Sequence, residues 1–375
     1  MFTRDPFEKL CRNRSNQSMT QENKDILLKL LKQHKELGIS EQIDYDKFYL
    51  YSIITHSTAI EGSTVTEVEA QLLFDEGITS SKRTMVELMM NLDLKVAYEY
   101  GMQWIRKHDP ITIEWLVTLA SKVMARTGSE YHSLGGDFDA SKGELRKLNV
   151  TAGIGGKSYM SYLKVPMALQ AFCEELNRRR SEIDPSDIAA VYELSFWAHF
   201  KLVTIHPWAD GNGRTCRLLM NLLQMEYGVL PTKVLKEDKA EYIQALIDTR
   251  EEENIEIFLN CMSHLHCSHL KQDIDQFIKN MASEMVDKHG FAKKMVDKWS
   301  IKPSLADKLS SILVFMADKE ETTTETIVQQ FGFTATTAKR YLRQLTEFGY
   351  LAAKGGNRNR TYTMLNPSQI EGKDR

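Results

Sequence analysis

Residues 206–217 read HPWADGNGRTCR, and this stretch decides how the rest of the chain is interpreted. Gly211, Asn212 and Gly213 predict a tight turn, because glycine tolerates positive φ and lets the backbone approach a ligand closely. The residues that follow the turn, RTCRLLMNLLQMEYG, predict a strong helix. The turn would therefore direct backbone N–H groups from a helix N-terminus, which is a ready site for an anion.

Four side chains around this turn complete a candidate site for phosphoryl-type transfer. Arg214 and Arg217 lie three residues apart, so both guanidinium groups can reach one bound anion. Asp210 precedes the turn, where its carboxylate can hold Mg²⁺ against phosphate oxygens. His206 can accept the proton of an attacking hydroxyl when its imidazole is neutral. The alternative is a helix cap with two surface arginines, which explains each feature alone but not their combination.

Outward from this site, apolar residues recur at three- and four-residue spacing and predict a mostly α-helical chain. The predicted helices cover residues 21–37, 44–55, 84–106, 113–124, 165–180, 186–203, 214–227 and 255–285. Residues 143–160, GELRKLNVTAGIGGKSYM, break this pattern with four glycines among short β-prone runs. We interpret this segment as a β-hairpin or flap, with a plain connector as the alternative.

A separate unit begins near residue 299. The pattern predicts helices over 306–317, 324–331 and 336–348, followed by two strands that are joined by a Gly-Gly-Asn turn. This order is that of a winged helix-turn-helix. Its basic residues, which could contact DNA phosphates, are Lys339, Arg340, Arg343, Lys354, Arg358 and Arg360. A dimerisation or protein-docking role is equally compatible with the fold.

Composition limits the class of protein. The 375 residues are 42% apolar and 26% charged with a net charge of −3, which indicates a globular chain of about two or three domains with no overall attraction to nucleic acid. No apolar run is expected to span a bilayer, and the N-terminus lacks an apolar signal core. The five cysteines form no C-x-x-C pair, so we expect free thiols and a cytoplasmic location. The Cys- and His-containing run at 261–269 has metal-ligand residue types, but we interpret it as part of one helix.

The motif at 206–217 resembles the active-site motif of the Fic family, H-P-F-x-D/E-G-N-G-R-x-x-R, with Trp208 in the place of phenylalanine. The resemblance implies a mostly α fold: a Fic-type helical core with a β-hairpin flap, plus the small C-terminal winged-helix (α+β) domain. It also implies a protein adenylyltransferase, a nucleotidyltransferase that moves AMP from ATP to a Ser, Thr or Tyr hydroxyl of a protein.

The resemblance assigns roles to the motif. His206 would be the base and Asp210 would bind Mg²⁺. The amides from Gly211 to Gly213 would hold α-phosphate charge, and Arg214 and Arg217 would hold the β- and γ-phosphates. The retained GNGR favours AMP transfer.

Two further segments resemble parts of Fic proteins. In the glycine-rich hairpin, Asn149, Val150 and Thr151 would dock the backbone of the target by β-augmentation. After the active-site helix, Tyr242 occupies the position of a family tyrosine on the nucleobase side. The family often has Ala-Asn-Glu near the turn that follows, where this chain has residues 249–251, TRE. This departure bears on the adenine contact and therefore on whether ATP is the donor.

Residues 57–62, STAIEG, end a predicted helical segment before the Fic-like core. By itself this run predicts a capped helix end with a solvated glutamate. It also resembles the Fic inhibitory motif, (S/T)-x-x-x-E-(G/N). By that resemblance Glu61 pairs with Arg217 and blocks the place of the γ-phosphate, while Ser57 helps to set the helix.

We therefore expect an N-terminal helical region at 1–110, a Fic catalytic core at 111–290 and a winged helix-turn-helix domain at 300–366. The leading hypothesis is an autoinhibited protein adenylyltransferase that uses ATP and Mg²⁺. Its partner would be a protein substrate, with this chain itself as a candidate. Homodimer formation and DNA binding through the winged helix are separate candidates, and no membrane partner is expected. The alternatives are an AMP-removing hydrolase on the same site, a transferase of another nucleotide, and a DNA-binding regulator with a nucleotide-sensing core.

Overall fold

The computed structural model describes residues 18–42, 44–79, 82–151, 158–285, 288–317, 319–356 and 360–365. It divides the chain into two compact units, Met1–Lys271 and Gln272–Arg375. Helices dominate both units, which confirms the predicted mostly α fold.

Ten helices begin in the described part of the first unit. They are α1 (Gln21–Glu36), α2 (Tyr45–Ile60), α3 (Glu67–Glu76), α4 (Met85–Ile105), α5 (Ile113–Val123), α6 (Val165–Glu182), α7 (Ile188–Ile205), α8 (Asn212–Glu226), α9 (Lys239–Glu251) and α10 (Ile255–Met285). The apolar pattern did not indicate α3 or α9. Helix α2 continues beyond the predicted residue 55, and this extension carries the residues of the inhibitory-type motif to the helix end.

Helices α7 and α8 pack against each other at the centre of the first unit, and α4, α5 and α6 pack around them. Helix α7 is apolar on nearly all sides, as is typical of a helix that is surrounded by other helices. By length and composition alone this helix could cross a membrane, so the expectation that no apolar run is long enough was wrong. However, 78% of the segment is buried inside the protein, as in the core helix of a globular domain.

The flap segment begins and ends as an antiparallel pair. Thr151 pairs with Ser158, and the Tyr159 N–H donates to the Val150 carbonyl at 3.0 Å. The hairpin tip, 152–157, lies outside the described residues. A second short pair, β1 (Glu130–Tyr131) with β2 (Phe138–Asp139), was not predicted.

The second unit contains α11 (Lys288–Trp299), α12 (Pro303–Met316), α13 (Thr324–Phe331) and α14 (Ala335–Glu347). Strands β3 (Thr322–Thr323), β4 (Leu351–Lys354) and β5 (Thr361–Met364) form an antiparallel sheet in the order β3–β5–β4. The three helices and two strands expected after residue 299 are present, while α11 and β3 were not predicted. Assignment as a DNA-binding winged helix stays a prediction, and Arg358 of the expected wing lies outside the described residues.

Candidate active site

The HPWADGNGRTCR loop connects the two central helices. Helix α7 ends at Ile205, and the next residue, His206, caps it in the left-handed region with φ 52°. Trp208 is buried, and its Nε1–H donates to the Gly143 carbonyl at 3.0 Å. The indole therefore anchors the loop in the core, and it makes a polar contact that phenylalanine could not make.

Asn212 closes the loop internally. Its Nδ2 donates to the Trp208 carbonyl at 2.9 Å, and its Oδ1 accepts the Trp208 N–H at 3.2 Å. Gly211, at φ 78°, precedes α8, and a Cβ at this position would lie 2.6 Å from the Met124 Sδ. The Asn212 side chain is thus a structural tie of the loop, and its contribution to an anion site would come from the backbone.

Asp210 remains accessible beside this turn. Its carboxylate accepts the Gly211 N–H at 2.5 Å, and 59% of the side chain is exposed. The same oxygen lies 3.7 Å from the Arg214 Nη2. A carboxylate with free surface at a helix N-terminus can take a cation together with an incoming phosphate.

His206 is held as a neutral base. Its Nδ1 lies 3.3 Å from the Val203 carbonyl, so Nδ1 carries the proton that this carbonyl accepts and Nε2 keeps its lone pair. Burial, helped by the positive charges of Arg146 and Arg250, lowers the pKa of His206 to about 4. The imidazole is therefore uncharged at neutral pH, as proton abstraction requires.

Arg146 connects this histidine to the flap, although nothing in its local sequence predicted this role. The buried guanidinium donates from Nε to the His206 carbonyl at 2.8 Å. Its Nη1 donates to the Leu148 carbonyl and its Nη2 to the Met160 carbonyl, each at 2.7 Å. One side chain thus ties the catalytic loop to both sides of the hairpin base.

Arg214 is a buried cation with unused donors. Only 3% of the residue is exposed, and its Nη2 lies 3.0 Å from the Met124 Sδ. Its Nε and Nη1 have no hydrogen-bond partner among the described residues. Burial lowers the pKa of Arg214, although guanidinium remains charged in proteins. Buried donors without a partner are costly, which indicates that a ligand with acceptor oxygens completes their bonding.

Arg217 is already occupied from the N-terminal side of the chain. Its Nε donates to Ser57 Oγ at 2.9 Å, and its Nη2 donates to the Ser57 carbonyl at 2.9 Å. The same Nη2 lies 2.6 Å from Glu61 Oε1. The structure therefore brings Arg217 to Ser57 and Glu61, which lie 160 and 156 positions before it in the sequence.

The end of α2 that carries Glu61 is fixed by other contacts. Lys239 Nζ donates to the Ile60 carbonyl at 2.7 Å, and Thr58 Oγ1 donates to Asn91 Oδ1 at 3.0 Å. Burial would raise the pKa of Glu61, but the attraction of Arg217, helped by other nearby cations, outweighs burial and lowers it. Glu61 is therefore a carboxylate held against the anion site.

Gly213 is the residue of the turn that faces this carboxylate. A Cβ on Gly213 would lie 2.6 Å from Glu61 Oε1 and 3.0 Å from Arg217 Nη1. Because glycine has no side chain, there is space directly at the N-terminus of α8, and in this structure Glu61 takes up part of that space.

Tyr242 does not line an open surface. It is 1% exposed, and its hydroxyl lies 2.9 Å from His199 Nε2. Burial raises the pKa of Tyr242 to about 12. The residue predicted on the nucleobase side thus lies within the core next to Arg217, with no ring face available to a base in this conformation.

The predicted flap residues lie at the base of the hairpin. Asn149 Oδ1 accepts the Tyr162 N–H at 3.1 Å, while Val150 and Thr151 pair with the opposite strand. The return strand places Tyr159 on His206, with stacked ring centroids 3.9 Å apart. The sequence did not indicate this tyrosine, because the contact depends on the register of the hairpin.

The Cys- and His-containing run at 261–269 lies within α10. His266 Nε2 is 3.0 Å from the Tyr192 hydroxyl, and His269 Nε2 is 2.9 Å from Asp238 Oδ2. Within the described ranges, no three His, Cys, Asp or Glu side chains are grouped to hold a metal ion. These histidines make contacts between helices.

Comparison with known proteins agrees with this geometry. A family model described as the Fic/DOC family matches residues 110–224, which include the whole loop. This part of the chain is a Fic/DOC domain. The chain is 28% identical over 204 residues to protein adenylyltransferase fic-1 of Caenorhabditis elegans, covering 54% of this chain and 36% of that protein.

A second relative, protein adenylyltransferase Fic of Drosophila sechellia, is 31% identical over 216 residues, which are 57% of this chain and 39% of that protein. The chain therefore spans little more than a third of the length of these relatives. A solved Fic domain-containing signaling protein from Bacteroides thetaiotaomicron superposes with a TM-score of 0.54 at 22% identity, covering 68% of this chain and 96% of the other. This likeness supports the Fic fold of the helical core.

Proposed function

We propose that this Fic protein transfers AMP from ATP to a hydroxyl group of a protein, and that Glu61 holds it in an inhibited state. One observation carries the proposal: a neutral His206, a buried Arg214 with unused donors and an Arg217 occupied by Glu61 surround the same helix N-terminus. The relatives in which this domain is found are named protein adenylyltransferases.

His206 would act as the general base. Because Nδ1 is directed at the Val203 carbonyl, Nε2 is the atom that accepts the proton of a Ser, Thr or Tyr hydroxyl. The deprotonated oxygen would attack the α-phosphorus of ATP, forming the phosphodiester bond while the bond to pyrophosphate breaks. The proton rests on His206 until solvent removes it.

The triphosphate would bind at the start of α8. The first N–H groups of a helix have no partner within the helix and favour an anion. Arg214 adds two buried donors that lack partners among the described residues, and phosphate oxygens could approach Gly213 once the Glu61 carboxylate has moved away. Negative charge that develops on the α-phosphate would be stabilised by these fixed donors.

Mg²⁺ is the cation that this site fits. Asp210 offers an accessible carboxylate next to the proposed phosphate site, and Mg²⁺ in nucleotide sites needs only one or two carboxylates, since phosphates and water supply the rest. When bound, the ion would neutralise phosphate charge. Orientation of the phosphates would remain the task of Arg214 and the α8 backbone.

Glu61 would inhibit by occupying Arg217. The γ-phosphate needs a guanidinium donor, and the Nη2 of Arg217 already contacts the Glu61 carboxylate. A phosphate would also have to enter the space between Gly213 and that carboxylate. ATP would then bind weakly or in a pose that does not present its α-phosphorus to His206.

The test is the intact mass of purified Glu61→Gly protein after incubation with ATP and Mg²⁺, first alone and then with a cell extract as the source of targets. Addition of one AMP to this chain or to an extract protein, absent in Glu61→Gly/His206→Ala, is the expected result. Equal labelling by the unsubstituted chain would refute inhibition by Glu61. Undiminished labelling by the His206→Ala variant would refute the base.

An AMP-removing reaction on the same site is the second candidate. It is favoured by the Glu61 carboxylate, which lies at the α8 N-terminus where it could orient water. The lowered pKa of Glu61 makes it a weak proton acceptor, so we rank removal below transfer. Loss of AMP from a labelled target on adding the unsubstituted chain, but not Glu61→Gly, would reverse this ranking.

We further propose a cytoplasmic location, since Cys173, Cys216, Cys261 and Cys267 are free thiols, as is usual in a reducing compartment. The chain itself is the first protein target to examine. Specific DNA binding without any AMP transfer by Glu61→Gly would instead favour a regulator whose Fic core senses nucleotide.

A further inference from the structure

The face of the His206 imidazole is covered by a stack of two other side chains. The Tyr159 ring lies on the imidazole with centroids 3.9 Å apart and an interplanar angle of 18°. The guanidinium of Arg250 lies 5.2 Å from the centroid of the same tyrosine ring, within the range of a cation–π contact. Arg250 is anchored in turn, because its Nε donates to the Leu246 carbonyl at 3.1 Å.

Two contacts therefore define the orientation of His206. The Nδ1–H contact to the Val203 carbonyl acts in the plane of the ring and selects the tautomer. The Tyr159 ring restricts rotation of the imidazole out of that plane, and it covers a face of the ring and not the Nε2 edge. Proton transfer requires this edge to meet the hydroxyl at hydrogen-bond distance, so a small rotation is costly.

The position of Tyr159 depends on the flap. Its N–H pairs with the Val150 carbonyl, one residue away from the Thr151–Ser158 bridge. The next residue, Met160, is held through its carbonyl by Arg146, which also holds the His206 carbonyl. The backbone of Tyr159 and Met160 and the side chain of Arg146 thus connect the hairpin register to His206.

We propose that Tyr159 is a positioning residue for His206, and that Arg250 holds Tyr159 in the stack. A protein target that docks on the flap then also sets the alignment of the base. Arg250 stands in the segment where the Fic family often has Ala-Asn-Glu, so this clamp belongs to the departure of the chain from the family pattern. The consequence for AMP transfer rests on the proposed function, whereas the effect on His206 itself does not.

The charges that act on His206 come from three segments: Arg146 before the flap, Arg250 on α9 and Glu61 at the end of α2. Both arginines favour the neutral imidazole and Glu61 opposes them. Loss of the Tyr159 ring would admit water to the imidazole face and favour the protonated form. Loss of the Arg250 charge would act in the same direction.

The first experiment is an NMR titration of His206 in the full chain with labelled histidine, which needs no turnover. Tyr159→Leu should raise the pKa of His206 by roughly one unit or more toward its ordinary value near 6.5, and Arg250→Gln should raise it by less. Tyr159→Phe keeps the ring and should leave the pKa in place. Tyr162→Leu is the matched control, because this nearby ring packs on Gly135.

The second experiment measures AMP transfer in the Glu61→Gly background. Tyr159→Leu should lower kcat by roughly ten- to a hundredfold with little change in KM for ATP, and Tyr159→Phe should restore the rate. An unchanged His206 pKa in folded Tyr159→Leu protein would overturn the proposal. Faster AMP transfer by Tyr159→Leu would also overturn it, because the tyrosine would then obstruct the imidazole and not position it. If Glu61→Gly transfers no AMP at all, the proposed function fails while the titration still decides the role of Tyr159.

Discussion

Two substitutions of Glu61 can separate the effect of its charge on the contact with Arg217 from the effect of its shape. Glu61→Gln keeps the size of the side chain and an oxygen that can accept from Arg217 Nη2, but it removes the negative charge. Glu61→Gly removes both. Arg217 retains its two contacts with Ser57 in either variant, so α2 should remain in place.

The structure sets the size of the expected effect. A hydrogen bond to a charged group contributes roughly 1.5–3 kcal/mol. Because 35% of the Glu61 side chain is exposed, solvent screening reduces its advantage over a neutral amide to about 1–2 kcal/mol. This difference corresponds to an increase of about 5- to 30-fold in productive ATP binding for Glu61→Gln. Glu61→Gly should increase it at least as much.

The assay is the initial rate of AMP transfer at ATP concentrations well below saturation, with nucleotide binding measured separately in the His206→Ala background. The pH dependence gives a second reading. The pKa of Glu61 is lowered in the folded protein, so the inhibitory contact is complete above the ordinary pKa of 4.5 and is lost only as the pH falls through the lowered value. The ratio of the Glu61→Gln rate to the unsubstituted rate should therefore be constant from about pH 5.5 to 8.

Two results would refute this reasoning. Equal ATP affinity and equal rates for the unsubstituted chain and Glu61→Gln would show that the charge on Arg217 is not the inhibitory element. A ratio that changed strongly near pH 6 would mean that Glu61 titrates there, which its contact with Arg217 does not allow.

Stability measurements test the loop and the buried histidines. Trp208→Phe deprives the Gly143 carbonyl of its indole donor, and urea unfolding should show a loss of about 1–3 kcal/mol. Gly211→Ala places a Cβ 2.6 Å from a methionine sulfur at φ 78°, and an unchanged melting temperature would contradict the expected loss of about 1–3 kcal/mol. Burial lowers the pKa of His199 and His266 to about 3, so below about pH 6.5 only the unfolded chain takes up their protons. These two groups do not affect the free energy of unfolding above that pH. Between about pH 6 and 4.5 they should reduce it by up to about 2.7 kcal/mol per pH unit, and His266→Gln should halve this slope.

The helices that the sequence predicted are those with a long apolar face. Helix α8 was predicted in the same way although it is buried on almost all sides, and the turn that precedes it indicated where it starts. Helix α3 spans only ten residues and was missed, although Thr66 and Glu69 form a capping box at its start. Strands of two residues, such as β1 and β2, are too short to produce an alternating pattern.

Part of the candidate site could be predicted from the sequence for a related reason. The loop at 206–217 concentrates its chemistry in one stretch, so residue type and spacing suffice to identify it. Arg146 and Tyr159 reach the same loop through tertiary contacts, and nothing in their local sequence distinguishes them from surface residues. Tyr242 was identified by position, but its burial beside His199 depends on how α9 packs.

The contact that we propose as inhibitory joins residues that are 156 positions apart, yet only the Glu61 side chain would have to move to break it. Ile60 and Thr58 are tied to Lys239 and Asn91, so the end of α2 is part of the folded core. The Glu61 side chain alone is partly exposed and can rotate away from Arg217 without disturbing those ties. In the proposed function a γ-phosphate would compete for the same guanidinium, so ATP itself would oppose the inhibitory state. The strength of the proposed inhibition would then depend on the difference in affinity of Arg217 for two anions, and substitutions at Glu61 would change it without loss of the fold.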